Sequence, residues 1–315
     1  MVAMSELLKL AAVKPGARVS IVAPASFAIG ERTERGTAAL CAAGFEPKFA
    51  ANALKRGPLY FAGTPGERIA DLYVAFADPD TSAVMSLRGG YGSNYLLDGL
   101  DLDLFAKHPK PFFAYSDLTG LQLYLLDELG LPAFHGPMLA ADFYLDDGVD
   151  RKSFDAAIGG TPYTLGAEEG LRTLKGGTAS GTLYGGCLSI LVALLGTPWE
   201  PRTEGKLLFL EDVGAKPYQV DRMLWQLRAA GKLEGVTGIV FGEMLNCSSN
   251  GAPDSLLEQS ILSALDGFTG PIAIGLRSGH VSRRCVTLTF GVEAELIAGA
   301  AAQLNIREPA VRVAG

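Results

Sequence analysis

Short apolar runs alternate with amphipathic stretches of helical period from Arg18 to His135. That alternation predicts α/β architecture, a parallel sheet with right-handed crossovers and helices on both faces. Arg18-Val19-Ser20-Ile21-Val22-Ala23 reads as a buried strand that exits through Pro24-Ala25-Ser26. A helix is expected from Glu31 to Gly44, where the glycine stops it, and a weaker strand from Phe45 to Phe49. Thr64-Pro65-Gly66-Glu67 opens a helix running to Ala77, with Thr64 as its cap and Pro65 at its first position. Ser82 to Leu87 is a third strand, leaving through Arg88-Gly89-Gly90-Tyr91-Gly92 into a helix from Asn94 to Leu100. Pro111 to Tyr115 is a fourth strand, joined at Ser116 to a helix that reaches Leu129. Pro132 to Phe134 is a fifth, ending at His135-Gly136-Pro137. Met1 to Lys14 reads as a short helix.

The alternation weakens between Asp142 and Thr173, where Asp146-Asp147-Gly148 and Gly159-Gly160-Thr161-Pro162 stand. We therefore expect an α/β domain over 1–150, a linker over 151–175 with a short helix near Arg151 to Ala157 and an edge strand, and a second domain over 176–315. In that second domain Gly181–Tyr184, Lys206–Leu210, Val236–Phe241 and Pro271–Ile274 read as strands. Helices are expected at Ile190–Leu195, Pro217–Ala230 and Asp254–Leu265. Val286–Phe290, Ala294–Ile297 and Ala302–Ile306 read as a closing antiparallel set, so this half is mixed and β-rich.

Composition narrows the classes. Of 315 residues, 48% are hydrophobic and 19% charged, enough apolar material for large cores and too little charge for disorder. The net charge of −7 argues against nucleic acid or an anionic membrane as partner. No apolar run is long enough to span a bilayer, and Glu6 and Lys9 interrupt the N-terminal one, so no signal peptide is read and the expected compartment is the cytoplasm. Cys41, Cys187, Cys247 and Cys285 have no CxxC spacing and no HExxH occurs, so zinc ribbons, thioredoxin chemistry and a metal site have little support.

Four strand exits converge on the carboxyl edge of the first sheet, where α/β sheets bind ligands: Pro24–Ser26, Arg88–Gly92, Ser116-Asp117 and His135–Pro137. A serine at a strand-to-helix joint is either an N-cap or a nucleophile beside an oxyanion-stabilising amide. Gly89, Gly90 and Gly92 allow a tight turn or close backbone approach to an anion, with Arg88 or Tyr91 supplementing it; the pattern is neither GxGxxG nor a P-loop. A nucleophilic serine needs a base. His108 precedes the Ser116 strand and falls at the opposite edge, whereas His135 and His280 both follow strands and remain equal candidates. Glu211, leaving the run Leu207–Leu210, is the leading carboxylate to orient the base, with Asp212, Glu243 and Asp117 as rivals. Cys187, at a helix start in apolar surroundings, is a rival nucleophile that reads better as a packing residue.

The motifs together resemble the LD-carboxypeptidases, the muramoyltetrapeptide carboxypeptidase family of serine peptidases. The resemblance is carried by Val22–Ser26, Arg88-Gly89-Gly90-Tyr91-Gly92, Tyr115-Ser116-Asp117-Leu118-Thr119 and His135–Met138, then by Gly185–Leu188, Leu210-Glu211-Asp212-Val213, Pro217–Leu224 and Ser278-Gly279-His280. It implies a flavodoxin-like parallel-sheet N-terminal domain, a smaller β-rich C-terminal domain, and a triad of Ser116, Glu211 and His280. With that triad, we expect an oxyanion site from the backbone of Asp117 and of Gly89 or Gly90, with Tyr91 and Arg88 at the substrate. Hydrolysis by this mechanism calls for no metal or organic cofactor. The implied reaction releases terminal D-alanine from a murein tetrapeptide, a small peptide substrate, in cell-wall recycling; a homodimer is compatible with it. The alternatives are a microcin-immunity-like hydrolase of peptidyl-nucleotide antibiotics and a non-catalytic binding protein on the same scaffold. A glutamine-amidotransferase-like reading needs a cysteine where Ser116 stands. The chain departs from the family at Cys187, where asparagine is common, and at Lys216, where an acidic residue is. The order Ser, Glu, His is that of α/β-hydrolases, but the G-x-S-x-G elbow is absent, so that likeness reads as convergent.

Overall fold

The β-branched and aromatic runs form strands in two units. The computed structural model describes residues 6–248 and 255–312. The first unit takes the chain up to Thr161, then 283–291 and the segment from 309 onward; the second takes 162–282 and 292–308. Unit one runs β1 (Leu10–Ala11), β2 (Arg18–Val22), α1 (Gly30–Ala42), β3 (Glu46–Phe49), α2 (Pro65–Ala77), β4 (Ala83–Ser86), α3 (Leu102–Lys107), β5 (Phe112–Ala114), α4 (Thr119–Leu129), β6 (Ala133–His135) and α5 (Arg151–Gly159). Unit two runs β7 (Tyr163–Leu165), β8 (Arg172–Lys175), β9 (Gly177–Cys187), α6 (Leu188–Ala193), β10 (Lys206–Glu211), α7 (Pro217–Ala229), β11 (Gly238–Gly242), α8 (Ser255–Ala264) and β12 (Ile272–Leu276). The chain then gives β13 (Leu288–Phe290) to unit one, β14 (Glu293–Ala298) and β15 (Gln303–Ile306) to unit two, and β16 (Val311–Arg312) to unit one.

The fold is α/β, with a parallel-rich sheet in one unit and a separate mixed sheet in the other. The first has the order β13-β6-β5-β4-β2-β3, parallel throughout except for β13. Its strands β4, β5 and β6 are buried on both faces, as continuous apolar runs require, while the edge strand β3 is partly exposed. The second has the order β7-β15-β14-β9-β10-β11-β12-β8; β9 to β12 form its parallel centre, flanked by antiparallel strands.

Local chemistry fixes the helices that set the site. Thr64 and Glu67 form a capping box on α2: the Thr64 Oγ1 accepts from Glu67 N at 3.3 Å, and the Glu67 carboxylate accepts from Thr64 N at 2.9 Å. Lys55 and these Thr64 contacts push the Glu67 carboxyl down to about 2. Because that value is depressed, its contribution to stability is present above the ordinary carboxylate range and is lost as pH falls toward 2. Helix α4 is apolar on nearly every face, and its Gln122 amide donates to Phe112 O at 3.1 Å and Phe134 O at 3.0 Å. This ties the helix that follows Ser116 to both β5 and β6.

Several expectations change. The described part of the N-terminal stretch is not helical. Leu10 is buried by parallel pairing of β1 with β16, a partner three hundred positions away that no local period reveals; residues 1–5 lie outside the described residues. The helix expected at Asn94–Leu100 is a 3₁₀ segment, Ser93–Gly99. Within 151–175 the expected short helix is α5, and the segment carries two strands, β7 and β8, where the sequence predicts one edge strand. The strand read at Val286–Phe290 does not join the closing antiparallel set: β13 pairs with β6, Leu288 opposite His135. The start of the helix read at Asp254 falls outside the described residues. Among the described residues no helix is long and apolar enough to cross a membrane.

Candidate active site

In unit one the carboxyl edge of the parallel sheet gathers the predicted residues. Ser116 follows β5 directly, and its backbone is left-handed, with φ of 65°. A non-glycine residue held there carries strain of about 1–2 kcal/mol, which persists only where surrounding structure enforces it. Its side chain forms no hydrogen bond within its own unit, so Ser116 does not serve as an N-cap; the residue preceding the 3₁₀ turn is Tyr115. Tyr115 is anchored instead, its hydroxyl donating to Asp142 Oδ1 at 3.2 Å while Asp142 Oδ2 accepts from Met138 N at 2.7 Å.

The glycine loop packs on the serine. A Cβ on Gly89 would stand 2.7 Å from Ser116 Cβ and 2.9 Å from its Oγ, so only glycine fits. Gly90 and Gly92 have φ of 113° and 117°. Among the described residues the backbone N–H groups of Gly89, Gly90 and Asp117 are committed to no hydrogen bond. The loop is held from two sides. Ser26 Oγ accepts from Tyr91 N at 3.1 Å, and the buried Asp117 carboxylate accepts from Ser93 N at 2.8 Å while Ser93 Oγ donates to Asp117 O at 2.6 Å. The Asp117 side chain is thus an anchor. Arg88 is half-buried, and its guanidinium has no ion-pair partner among the described residues. The Tyr91 ring is exposed and clusters with Tyr60, Phe61 and Tyr95.

Arg68 was not singled out from the sequence. It is 2% exposed, and its Nη1 donates to Pro24 O at 2.6 Å and Gly92 O at 2.8 Å, fastening two strand exits together. Burial lowers its pKa from the usual arginine value, and Asp117 opposes that shift. The available signal was its place on the buried stripe of α2 with Leu72, Ala75 and Phe76. His135 ends β6 fully buried, its ring 5.5 Å from that of Tyr115 and 5.2 Å from that of Phe290. His108 caps α3 at its carboxyl end, before β5 begins.

In unit two the parallel strands β10, β11 and β12 again deliver polar residues at one edge. Glu211 ends β10 with no exposed surface. Its Oε2 lies 2.8 Å from His280 Nδ1 and accepts from His280 N at 3.1 Å. An ionised carboxylate only accepts, so Nδ1 carries the proton and the Nε2 lone pair is left for a base. A Cβ on Gly242 would lie 2.6 Å from Glu211 Cβ, so β11 must be glycine there for the carboxylate to sit where it does. The rival Glu243 is engaged elsewhere, its Oε2 accepting from Ser282 N at 2.9 Å. Asp212 Oδ2 accepts from Ser189 N at 2.8 Å, and burial raises its pKa. Cys187, paired in register with Glu211, is buried; desolvation and the charges of Glu211 and Asp212 push its thiol well up. It is protonated at neutral pH and unfit as a nucleophile. Burial also pushes Cys247 up to about 11.

The chain matches two family models: the LD-carboxypeptidase N-terminal domain over residues 19–136 and the LD-carboxypeptidase C-terminal domain over 180–296. It is 39% identical over 275 residues to a probable murein peptide carboxypeptidase of Bacillus subtilis, covering 86% of each chain. Among solved structures it resembles a muramoyltetrapeptide carboxypeptidase from Oxalobacter formigenes, at 29% identity and a TM-score of 0.81, covering 93% of this chain and 99% of that one. An MccF-like protein from Bacillus anthracis is similar at 25% identity and a TM-score of 0.86, covering 96% and 99%.

Proposed function

Because the chain belongs to the LD-carboxypeptidase family, we propose that it is a serine carboxypeptidase releasing terminal D-alanine from murein tetrapeptides in cell-wall recycling. The observation that carries this reading is the Glu211–His280 hydrogen bond, which sets the imidazole in the tautomer a general base needs. The strained Ser116 backbone beside uncommitted amides supports it from the other unit.

In this reading His280 Nε2 takes the Ser116 proton as Oγ attacks the carbonyl of the L-configured centre. The N–H groups of Asp117 and of Gly89 or Gly90 stabilise the tetrahedral oxyanion. His280 then protonates the leaving D-alanine, and water hydrolyses the acyl-enzyme by the same base. Arg88 binds the free carboxylate of the substrate as a charge-assisted donor, and Tyr91 borders the site.

The likeness to the microcin C7 self-immunity protein MccF of Escherichia coli, 28% identical over 305 residues, supports a second reading, a microcin-immunity-like hydrolase of peptidyl-nucleotide antibiotics. One assay separates the two: the protein is incubated with murein tetrapeptide or with an aminoacyl sulfamoyl nucleoside, and product masses are measured. The proposal expects loss of one alanine from the tetrapeptide. Cleavage of the nucleoside conjugate alone would reassign the substrate, and turnover of neither would leave the binding-protein reading.

Gly89 offers an independent check. Gly89→Ala drives a methyl group against Ser116, and a misplacement of that size is expected to lower kcat about 100-fold. Thermal unfolding and steady-state kinetics on the same preparation show whether the loss exceeds what reduced folding explains.

A further inference from the structure

We propose that Cys187, Glu211 and His280 form a binding site for a borderline-soft divalent cation such as Zn²⁺, and that its occupation switches the base off. The regulatory consequence rests on His280 acting as the base; the binding does not.

The donors are brought together by strand register. Strands β9 and β10 run parallel with Cys187 and Glu211 as Cα partners at their last residues, so both side chains leave the same edge of the sheet. Adjacent strands stand about 4.8 Å apart, which holds a sulfur and a carboxylate side by side. His280 brings Nδ1 to 2.8 Å from Glu211 Oε2. One donor atom from each of the three residues lies within 4.8 Å of the others. A tetrahedral cation with a metal–sulfur bond of about 2.3 Å and metal–nitrogen and metal–oxygen bonds of about 2.0–2.2 Å needs its ligand atoms about 3–4 Å apart. Small side-chain rotations close that difference.

The donor set selects the ion. Thiolate with imidazole and carboxylate suits Zn²⁺ or Cd²⁺, whereas Mg²⁺ and Ca²⁺ take oxygen ligands. Charge favours a cation as well, since the Asp212 carboxylate lies 4.0 Å from the Cys187 sulfur. Glu211 is fully buried and the His280 side chain is 21% exposed, so the fourth coordination position faces the histidine side, where water or a thiol can enter.

The chemistry is a change of tautomer. In the active form Nδ1–H donates to Glu211 and Nε2 holds the lone pair. A cation takes the Nδ1 lone pair, so the neutral ring must carry its proton on Nε2. That nitrogen can no longer accept the Ser116 proton. The Cys187 thiol releases its own proton to solvent as the sulfur–metal bond forms, and no electron transfer is involved.

The test uses the full chain freed of metal with a chelator. Co²⁺ is titrated first, because a thiolate–Co²⁺ charge-transfer band reports the sulfur ligand directly, and Zn²⁺ is then used to displace it. Tetrapeptide hydrolysis is followed in parallel with Zn²⁺ and with Mg²⁺. We expect one Co²⁺ per chain with that band, displacement by Zn²⁺, inhibition by Zn²⁺ that a chelator reverses, and no inhibition by Mg²⁺. Cys187→Ala, and the milder Cys187→Ser, should lose the band, keep the metal-free rate, and need at least about tenfold more Zn²⁺ for half-inhibition. Cys41→Ala, which removes the exposed thiol, should keep the band. Absence of the band in the parent protein, or equal Zn²⁺ sensitivity in the Cys187 variants, overturns the proposal. If the metal-free protein hydrolyses nothing yet shows the Cys187-dependent band, the carboxypeptidase reading fails and the cation site stands.

Discussion

Replacing Ser116 by alanine is expected to lower kcat for tetrapeptide cleavage by about 10³ or more, with folding intact. The alcohol is the only group in the proposed mechanism that forms a bond to substrate, so nothing in the neighbourhood substitutes for it. Alanine leaves the left-handed backbone as strained as before, so stability should scarcely move. Glycine supplies the contrast. At a φ of 65° it removes the Cβ conflict, so Ser116→Gly should raise stability by about 1 kcal/mol while abolishing activity to the same extent. Denaturant unfolding beside single-turnover kinetics reads both effects. A serine kept only for its cap would give the opposite pattern, stability lost and activity kept.

Glu211→Gln should cost about 10⁴ in kcat with KM little changed, the scale seen when a buried triad carboxylate is exchanged for its amide. The carboxylate accepts from both Nδ1 and the backbone N–H of His280, so it fixes the ring's tautomer and its position together. A glutamine side chain is nearly the same shape, but its NH₂ can face Nδ1 and draw the proton onto Nε2. The base is then blocked without any unfolding. Glu243→Gln makes the matched control. Its carboxylate serves the Ser282 amide, and its loss should change kcat by less than about tenfold. An NMR measurement of the imidazole nitrogens in wild type and in Glu211→Gln would show the tautomer directly.

Much of this was legible in the chain because strands buried on both faces announce themselves as apolar runs. Their exits were therefore visible as the polar and glycine residues that end those runs: Arg88–Gly92, Ser116, Glu211 and Ser278–His280. What stayed hidden depends on pairing between distant segments. Leu10 and Ala11 carry a helix-like local pattern and become a strand only because Val311 and Arg312 return beside them. The run at Val286–Phe290 has the right residues for a strand, but nothing local says that its partner is β6. Arg68 lies on the buried stripe of α2, but the carbonyls of Pro24 and Gly92 that it joins come from distant segments. The sign of φ at Ser116 is imposed by tertiary packing and has no signature in serine itself. Of the three histidines, residue chemistry left His135 and His280 equal. Geometry within each unit separates them, His135 among aromatic rings and His280 against a carboxylate. Cys187 could be read as a packing residue from its neighbours, but its place beside Glu211 is a matter of register.

The central proposal is that the Glu211–His280 pair activates Ser116 as the nucleophile. A fluorophosphonate probe tests it without any assumption about substrate. The intact protein is labelled, digested, and the modified residue located by mass spectrometry, with labelling rates compared among wild type, Glu211→Gln and His280→Ala. The account predicts a single adduct on Ser116, formed at a rate that falls by about 10³ or more in both variants. An adduct on any other residue, or labelling of Ser116 at the wild-type rate after His280→Ala, would contradict it.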